Sequence, residues 1–249
     1  MIYDKLTKLA VGFSAITLSA MVSSSASAAG VVNGSFETTT NGPGQIGFNT
    51  DLPGWTYATA PNSFDFIFAP GTADTTGSPG QYGNLTLWGS NNGGTSVFST
   101  SPDGGNFLGV DGAFQNTAPI SQTLTGLNVG QTYQVSFYDA AAQQTGYTGA
   151  TQEQWQVSFG GVTQNATLFN LASQAFSGWK QESLTFTANA PTQVLQFFAT
   201  GSPGGEPPFA LLDGVSVQAV PEPSSLFGLG ALVLLGLGSR FQLKLAEKK

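Results

Sequence analysis

Between residues 30 and 219 the apolar residues recur with a period of two, and no stretch holds a three-to-four spacing long enough to make an amphipathic helix. Tyr133, Val135 and Phe137 alternate with Gln134, Ser136 and Tyr138, which places one set on each face of an extended segment. Similar short strands are expected at Phe107–Val110, Ile120–Leu124, Trp155–Phe159, Gln181–Phe186, Gln193–Phe198 and Leu211–Val217, separated by Gly, Asn and Pro. Gly160-Gly161 between Phe159 and Val162 is a hairpin signal, and residues 125–130 make a longer connection. Strands with one apolar face must bury it against another sheet, so the pattern predicts an all-β fold, a β-sandwich whose strand count suits a jelly roll. No repeat of fixed period is evident, which argues against a propeller or β-helix. The Gly/Pro-rich stretches 69–82 and 199–208 are expected to be mobile loops at the sandwich ends.

The 249 residues include no cysteine and no histidine. Histidine-based triads, imidazole metal ligands, disulfides, thiolate nucleophiles and iron–sulfur clusters are therefore excluded. Residues 30–220 carry one lysine, Lys180, against eleven acids, a net of −10. A domain so acidic repels phosphate backbones, which argues against nucleic-acid binding. Most of its carboxylates also lack a cationic partner, so an inward-facing acid needs hydrogen-bond donors or a metal ion.

The two ends differ from the middle. Lys5 and Lys8, an apolar stretch from Leu9 to Met21 and the small-x-small site Ala26-Ser27-Ala28 predict a cleaved secretory signal peptide over 1–29, the alternative being an uncleaved anchor helix. At the other end, Pro221-Glu222-Pro223 precedes an apolar run at 226–238 and then Arg240, Lys244, Lys248 and Lys249. The run is shorter than the ~20 residues of a full bilayer span, and the charges beyond it favour a cytoplasmic end. Residues 220–249 resemble the PEP-CTERM sorting signal. The resemblance implies recognition by an exosortase, transient residence in the inner membrane after passage through the secretion machinery, and delivery to the cell surface or extracellular matrix of bacteria that make exopolysaccharide. The alternatives are a plain tail anchor and an apolar helix buried in the domain.

Residues 32–37 (Val-Asn-Gly-Ser-Phe-Glu), 52–55 (Leu-Pro-Gly-Trp), 178–182 (Gly-Trp-Lys-Gln-Glu) and 210–217 (Ala-Leu-Leu-Asp-Gly-Val-Ser-Val) resemble galactose-binding-like jelly rolls, a group with many carbohydrate-binding modules. If period two holds through the last strand, Leu211, Asp213, Val215 and Val217 share a face and Asp213 points inward, unless Gly214 makes a bulge. Calcium, bound through carboxylate and carbonyl oxygens, is then a natural partner. The resemblance implies that Glu37 and Asp213 join main-chain oxygens around a structural calcium; Asp103, in the turn at 101–106 just before the strand at 107–110, is a candidate third oxygen donor. Hydrogen-bonded or solvent-facing carboxylates are the alternative.

Among the aromatics, Tyr57, Trp88 and Tyr138 are candidates for stacking on sugar rings, whereas Trp55, Trp155 and Trp179 sit beside strand starts where packing is expected. No paired-carboxylate pattern of jelly-roll glucanases, no Gly-x-Gly-x-x-Gly turn and no Gly-Lys-Ser/Thr loop is present. The expectation is therefore an exported, non-catalytic protein that associates with exopolysaccharide or another glycan. A structural or adhesive surface protein without a sugar site is the alternative, and a glycan-active hydrolase or lyase a more distant one.

Overall fold

Alternation becomes strand pairing over most of the chain. A computed structural model describes residues 30–59, 64–114 and 117–221. The expected signal peptide over 1–29, Glu222, Pro223 and the apolar run 226–238 lie outside the described residues. In chain order the strands are β1 (Gly44–Gln45), β2 (Asp65–Phe68), β3 (Ser78–Gly80), β4 (Gly83–Leu85), β5 (Phe107–Asp111), β6 (Ile120–Thr125), β7 (Thr132–Gln143), β8 (Thr151–Phe159), β9 (Val162–Asn165), β10 (Phe169–Leu171), β11 (Lys180–Thr187), β12 (Thr192–Ser202) and β13 (Pro208–Ala219). Among the described residues the helical content is one 3-10 turn, Ser90–Asn92. None of the helices described is long and apolar enough to cross a membrane.

The larger sheet runs β1-β2-β5-β13-β7-β11 and the smaller β10-β8-β12-β6, with β9 paired to β8 across the Gly160-Gly161 turn. From β5 to β8, and again from β11 to β13, consecutive strands alternate between the two sheets, the jelly-roll form of a β-sandwich. The principal core lies between them, where Tyr133, Val135 and Phe137 of β7 meet Trp155, Val157 and Phe159 of β8 and Leu195 and Phe197 of β12. The Trp155 indole N–H donates to the Leu211 carbonyl at 2.9 Å, which satisfies the polar atom of the largest fully buried side chain.

A second apolar layer lies on the opposite face of the larger sheet. Phe66, Phe68, Phe107, Phe209 and Leu211 are covered there by Ala73, Leu85, Leu87 and Phe176, with Phe98 and Trp179 packed alongside. Phe98 stacks on Phe176 with ring centroids 4.2 Å apart. Residues 69–82 are thus part of a packed cover that includes the β3–β4 hairpin, and residues 199–202 extend β12. The causes differ: in 69–82 isolated apolar residues among Gly, Ser and Thr carry no periodicity yet bury well against a sheet that is apolar on both faces, whereas 199–202 continue the ladder of β12 with β8.

The last strand does not keep its period. Asp213 pairs with Tyr138 but Ser216 with Ser136, so Gly214 and Val215 together oppose Phe137. Gly214 takes φ +59°, a conformation that favours glycine, and the resulting bulge moves the side chains after it to the other face. Leu211 belongs to the second layer, whereas Val215 and Val217 face the principal core. The four residues expected on one face are therefore divided, and Asp213 sits on the outward side of the larger sheet, sealed from solvent at 0% exposure.

Candidate functional site

Two regions of the sandwich bring polar chemistry together. The first is an acidic corner built on the Gly214 bulge. The bulge turns the Gly214 N–H toward Asp213 Oδ1 at 2.8 Å, while Oδ2 is buried without a hydrogen bond of good geometry. Burial pushes the Asp213 carboxyl up to about 7; the Ser101 hydroxyl and the Gly214 N–H oppose the shift, and the charges of Asp103 and Glu37 add to it. The Ser101 hydroxyl accepts from the Asp103 N–H at 3.3 Å. Glu37 Oε1 accepts from the Asn106 N–H at 2.8 Å. A Cβ on Gly105 would fall 1.6 Å from that oxygen, and one on Gly214 would fall 3.1 Å from Asp103 Cγ. Glycine at both positions lets the carboxylates approach the backbone. Glu37, Asp103 and Asp213 are therefore brought to one corner, with Glu37 and Asp103 exposed and Asp213 beneath them. Among the described residues no three acidic side chains close into a metal-holding group, so a cation here would need main-chain oxygens as well.

The three aromatic candidates occupy different surroundings. The Tyr57 hydroxyl donates to Asp51 Oδ1 at 2.9 Å and its ring packs against the principal core. The Trp88 indole N–H donates to the Tyr147 carbonyl at 2.8 Å, and its backbone N–H to the Gln143 carbonyl at 2.8 Å. Tyr138 lies beside Gly214, where an added Cβ would meet its Cδ2 at 3.0 Å. It is five residues from Gln143 along β7, about 17 Å of strand. Trp55 and Trp155 are core residues, while Trp179 is half-buried against the second layer with its N–H on the Ser99 carbonyl at 3.0 Å.

The second region is the outward face of the smaller sheet. Gln152, Gln154, Gln156 and Ser158 of β8, Thr192, Val194, Gln196, Phe198, Thr200 and Ser202 of β12, and Ser121, Thr123 and Thr125 of β6 alternate with the core residues of the same strands. None is ionisable.

Sequence reasoning also passed over several buried carboxylates, Asp65, Asp74 and Asp111 among them; two more, Asp139 and Glu153, face the principal core from β7 and β8. Asp139 is 0% exposed opposite Lys180, and neither oxygen finds a donor outside its own residue. Burial first and the Glu182 charge second push it up to about 8, although Lys180 opposes the shift. Lys180 itself pairs with Glu182 at 2.7 Å and also donates to Thr167. Glu153 is 1% exposed and is pushed up to about 8 by burial, its Oε1 accepting from the Thr151 hydroxyl at 2.5 Å. Both acids continue the inward parity of their strands, a signal already present in the alternation.

Residues 219–242 match the PEP-CTERM protein-sorting motif. The chain carries a PEP-CTERM sorting signal. No curated protein matches its sequence. Among solved structures, it is similar to the CBM22-1 xylan-binding domain of Paenibacillus barcinonensis Xyn10C, at 14% identity over 76% of this chain and 92% of that one, with a TM-score of 0.38. A CBM4 structure matches at 16% identity over 76% and 99% of the two chains, TM-score 0.36. TmCBM61, solved in complex with β-1,4-galactotriose, matches at 13% identity over 77% and 99%, TM-score 0.37. These neighbours are carbohydrate-binding jelly-roll domains, and no ligand or site residue is carried over from them.

Proposed function

We propose that this PEP-CTERM protein is an exported, non-catalytic component of the cell envelope or extracellular matrix that associates with exopolysaccharide or another glycan. The observation that carries the proposal is the sorting motif at 219–242, which addresses the chain to an exosortase at the inner membrane. In this scheme residues 1–29 are removed on secretion, 30–219 act outside the membrane, and 220–249 hold the chain until processing. The alternative, a structural or adhesive surface protein without a sugar site, draws support from the tethering of Tyr57 and Trp88 by hydrogen bonds in separate surroundings. Pull-down of the full chain on purified exopolysaccharide, combined with a glycan array, separates the two. Retention on at least one glycan supports association, and clean separation from every glycan supports the alternative.

We further propose a structural calcium at the acidic corner, held by Glu37 and Asp213 with main-chain oxygens, Asp103 being a third side-chain donor. The buried Asp213 Oδ2, which lacks a hydrogen bond of good geometry, supports this: a desolvated carboxylate is costly unless protonated or bound to a cation.

A further inference from the structure

Resting on the glycan association proposed above, we infer that the outward face of the smaller sheet is the contact surface, and that the polymer it takes is an uncharged polysaccharide. Strand register places Gln196 opposite Ser158 on one side and Ser121 on the other, a polar row across three strands. The adjacent row sets Phe198 opposite Gln156. Beyond these, Gln154 faces Thr200, Thr123 faces Val194 and Thr125 faces Thr192. None of the eleven acids and no lysine projects here.

The composition suits hydroxyl-rich partners. A sugar hydroxyl donates and accepts at once; amides and hydroxyls answer both needs, whereas a carboxylate only accepts and an ammonium only donates. The flanking glutamines are already engaged: Gln152 Nε2 donates to Asn170 Oδ1 at 2.7 Å, Gln154 Nε2 to the Ala166 carbonyl at 3.0 Å and Gln164 Nε2 to the Thr185 carbonyl at 2.6 Å. Gln156 and Gln196, at the centre, make no side-chain hydrogen bond among the described residues, and Phe198 beside them is half-buried and offers an apolar ring.

Shape and charge narrow the occupant. A depression of about 530 Å³ lies at the Ser202 end of β12, lined by Gln152, Asn170 and Ser202, and one of about 490 Å³ lies along the β6 edge, lined by Gly54, Thr56, Thr123 and Thr125. The ten residue steps between Thr192 and Ser202 give a track of about 33 Å, which suits an extended chain. The net charge of −10 on the rest of the domain repels uronate or phosphate polymers and leaves a neutral one unaffected. The larger sheet also has an open outer stretch, with Gln134, Ser136, Ser183 and Gln218, but it adjoins the exposed acidic corner at Tyr138 and Gly214.

The test is affinity electrophoresis of the full chain through gels containing soluble β-glucan, xylan or galactan as neutral probes and alginate as the anionic probe. Wild type is compared with Gln156→Glu/Gln196→Glu, Phe198→Ala, Tyr138→Ala and Trp88→Ala. Retardation by a neutral polymer, weakened at least tenfold by the double variant and by Phe198→Ala, supports the inference; the double variant is solvent-facing, and an unchanged melting temperature shows that it folds. Retardation lost in Tyr138→Ala or Trp88→Ala but kept in the double variant overturns this face while sparing glycan association. Stronger retardation by alginate overturns the neutral class alone. No retardation by any polymer, with a dimer that the double variant dissociates, overturns both the inference and the association on which it rests.

Discussion

Glu153→Gln should stabilise the protein at neutral pH and leave it unchanged in acid. The Glu153 carboxyl rises from 4.5 to about 8 because the interior disfavours its charge, with the Thr151 hydroxyl only partly offsetting that cost. The folded state therefore holds this proton more tightly than the unfolded chain. Stability is full below the unfolded value and falls as pH rises through the interval from 4.5 to about 8. The slope for one proton is about 1.4 kcal/mol per pH unit, so at pH 7 the domain has lost about 3 kcal/mol through Glu153 alone. Glutamine keeps the shape and an oxygen for Thr151 but does not ionise, so the loss disappears. For a domain of this size the gain corresponds to a melting temperature higher by about 6 to 12 °C at pH 7. Urea unfolding of wild type and variant at intervals from pH 4 to pH 8 measures it directly. A stability difference that stays constant across that range would show that Glu153 does not titrate there. A variant less stable at pH 7 would mean that the carboxylate is charged and partnered in the folded protein.

Chelation should lower the melting temperature of the calcium-loaded protein, because an ion at about one hundred times its dissociation constant adds roughly 2.7 kcal/mol to folded-state stability. Asp213→Asn should abolish most of that response, and calcium affinity should climb as pH rises through about 7, where the Asp213 proton must leave; identical melting in calcium and in chelator rules out the site. Gly214→Val places a branched side chain at φ +59° against Tyr138 and Asp103, so it should cost at least about 1–2 kcal/mol in urea unfolding. Replacing Pro221, Glu222 and Pro223 by alanine should retain the full tail in the inner membrane fraction, whereas the wild-type extracellular form should end near 220–225 by mass spectrometry; recovery of wild type still carrying Lys248 and Lys249 refutes the sorting scheme.

Legibility in the sequence follows from how many faces of a strand are buried. β6, β8 and β12 show one apolar and one polar face, so their existence and orientation were plain from alternation. β2 was not, because Phe66 and Phe68 serve the second layer while Ile67 serves the principal core, and a strand apolar on both faces has no period. β13 was readable as far as Asp213, after which a single glycine exchanged the faces. Of the acidic corner, Glu37, Asp103 and Asp213 were all visible as residues; their convergence depends on Gly105 and Gly214 admitting close approach, a tertiary fact that spacing does not encode. Asp139 and Glu153 fall at inward positions of strands whose alternation was already evident, so parity alone locates them.

The division of surface between the sheets follows from the second apolar layer. Phe66, Phe68, Phe107, Phe209 and Leu211 give β2, β5 and the first half of β13 an outer face that cannot remain in water, so residues 69–106 and 172–179 are committed to covering it. Trp88 and Trp179 belong to those covering segments; the Trp179 indole N–H donates to the Ser99 carbonyl within the cover, and the Trp88 indole N–H to the Tyr147 carbonyl of the β7–β8 connection. The Trp179 ring packs edge-on against Phe107 and Phe176 of the layer it helps to close. The smaller sheet has no equivalent obligation: apart from Val194 and Phe198, its outward residues on β6, β8 and β12 are polar. A sandwich that leaves a long, uncharged amide and hydroxyl surface open while sealing an aromatic one has placed its capacity for reversible polar contact on the smaller sheet, and recognition of a hydroxyl-rich polymer there requires no rearrangement of the cover.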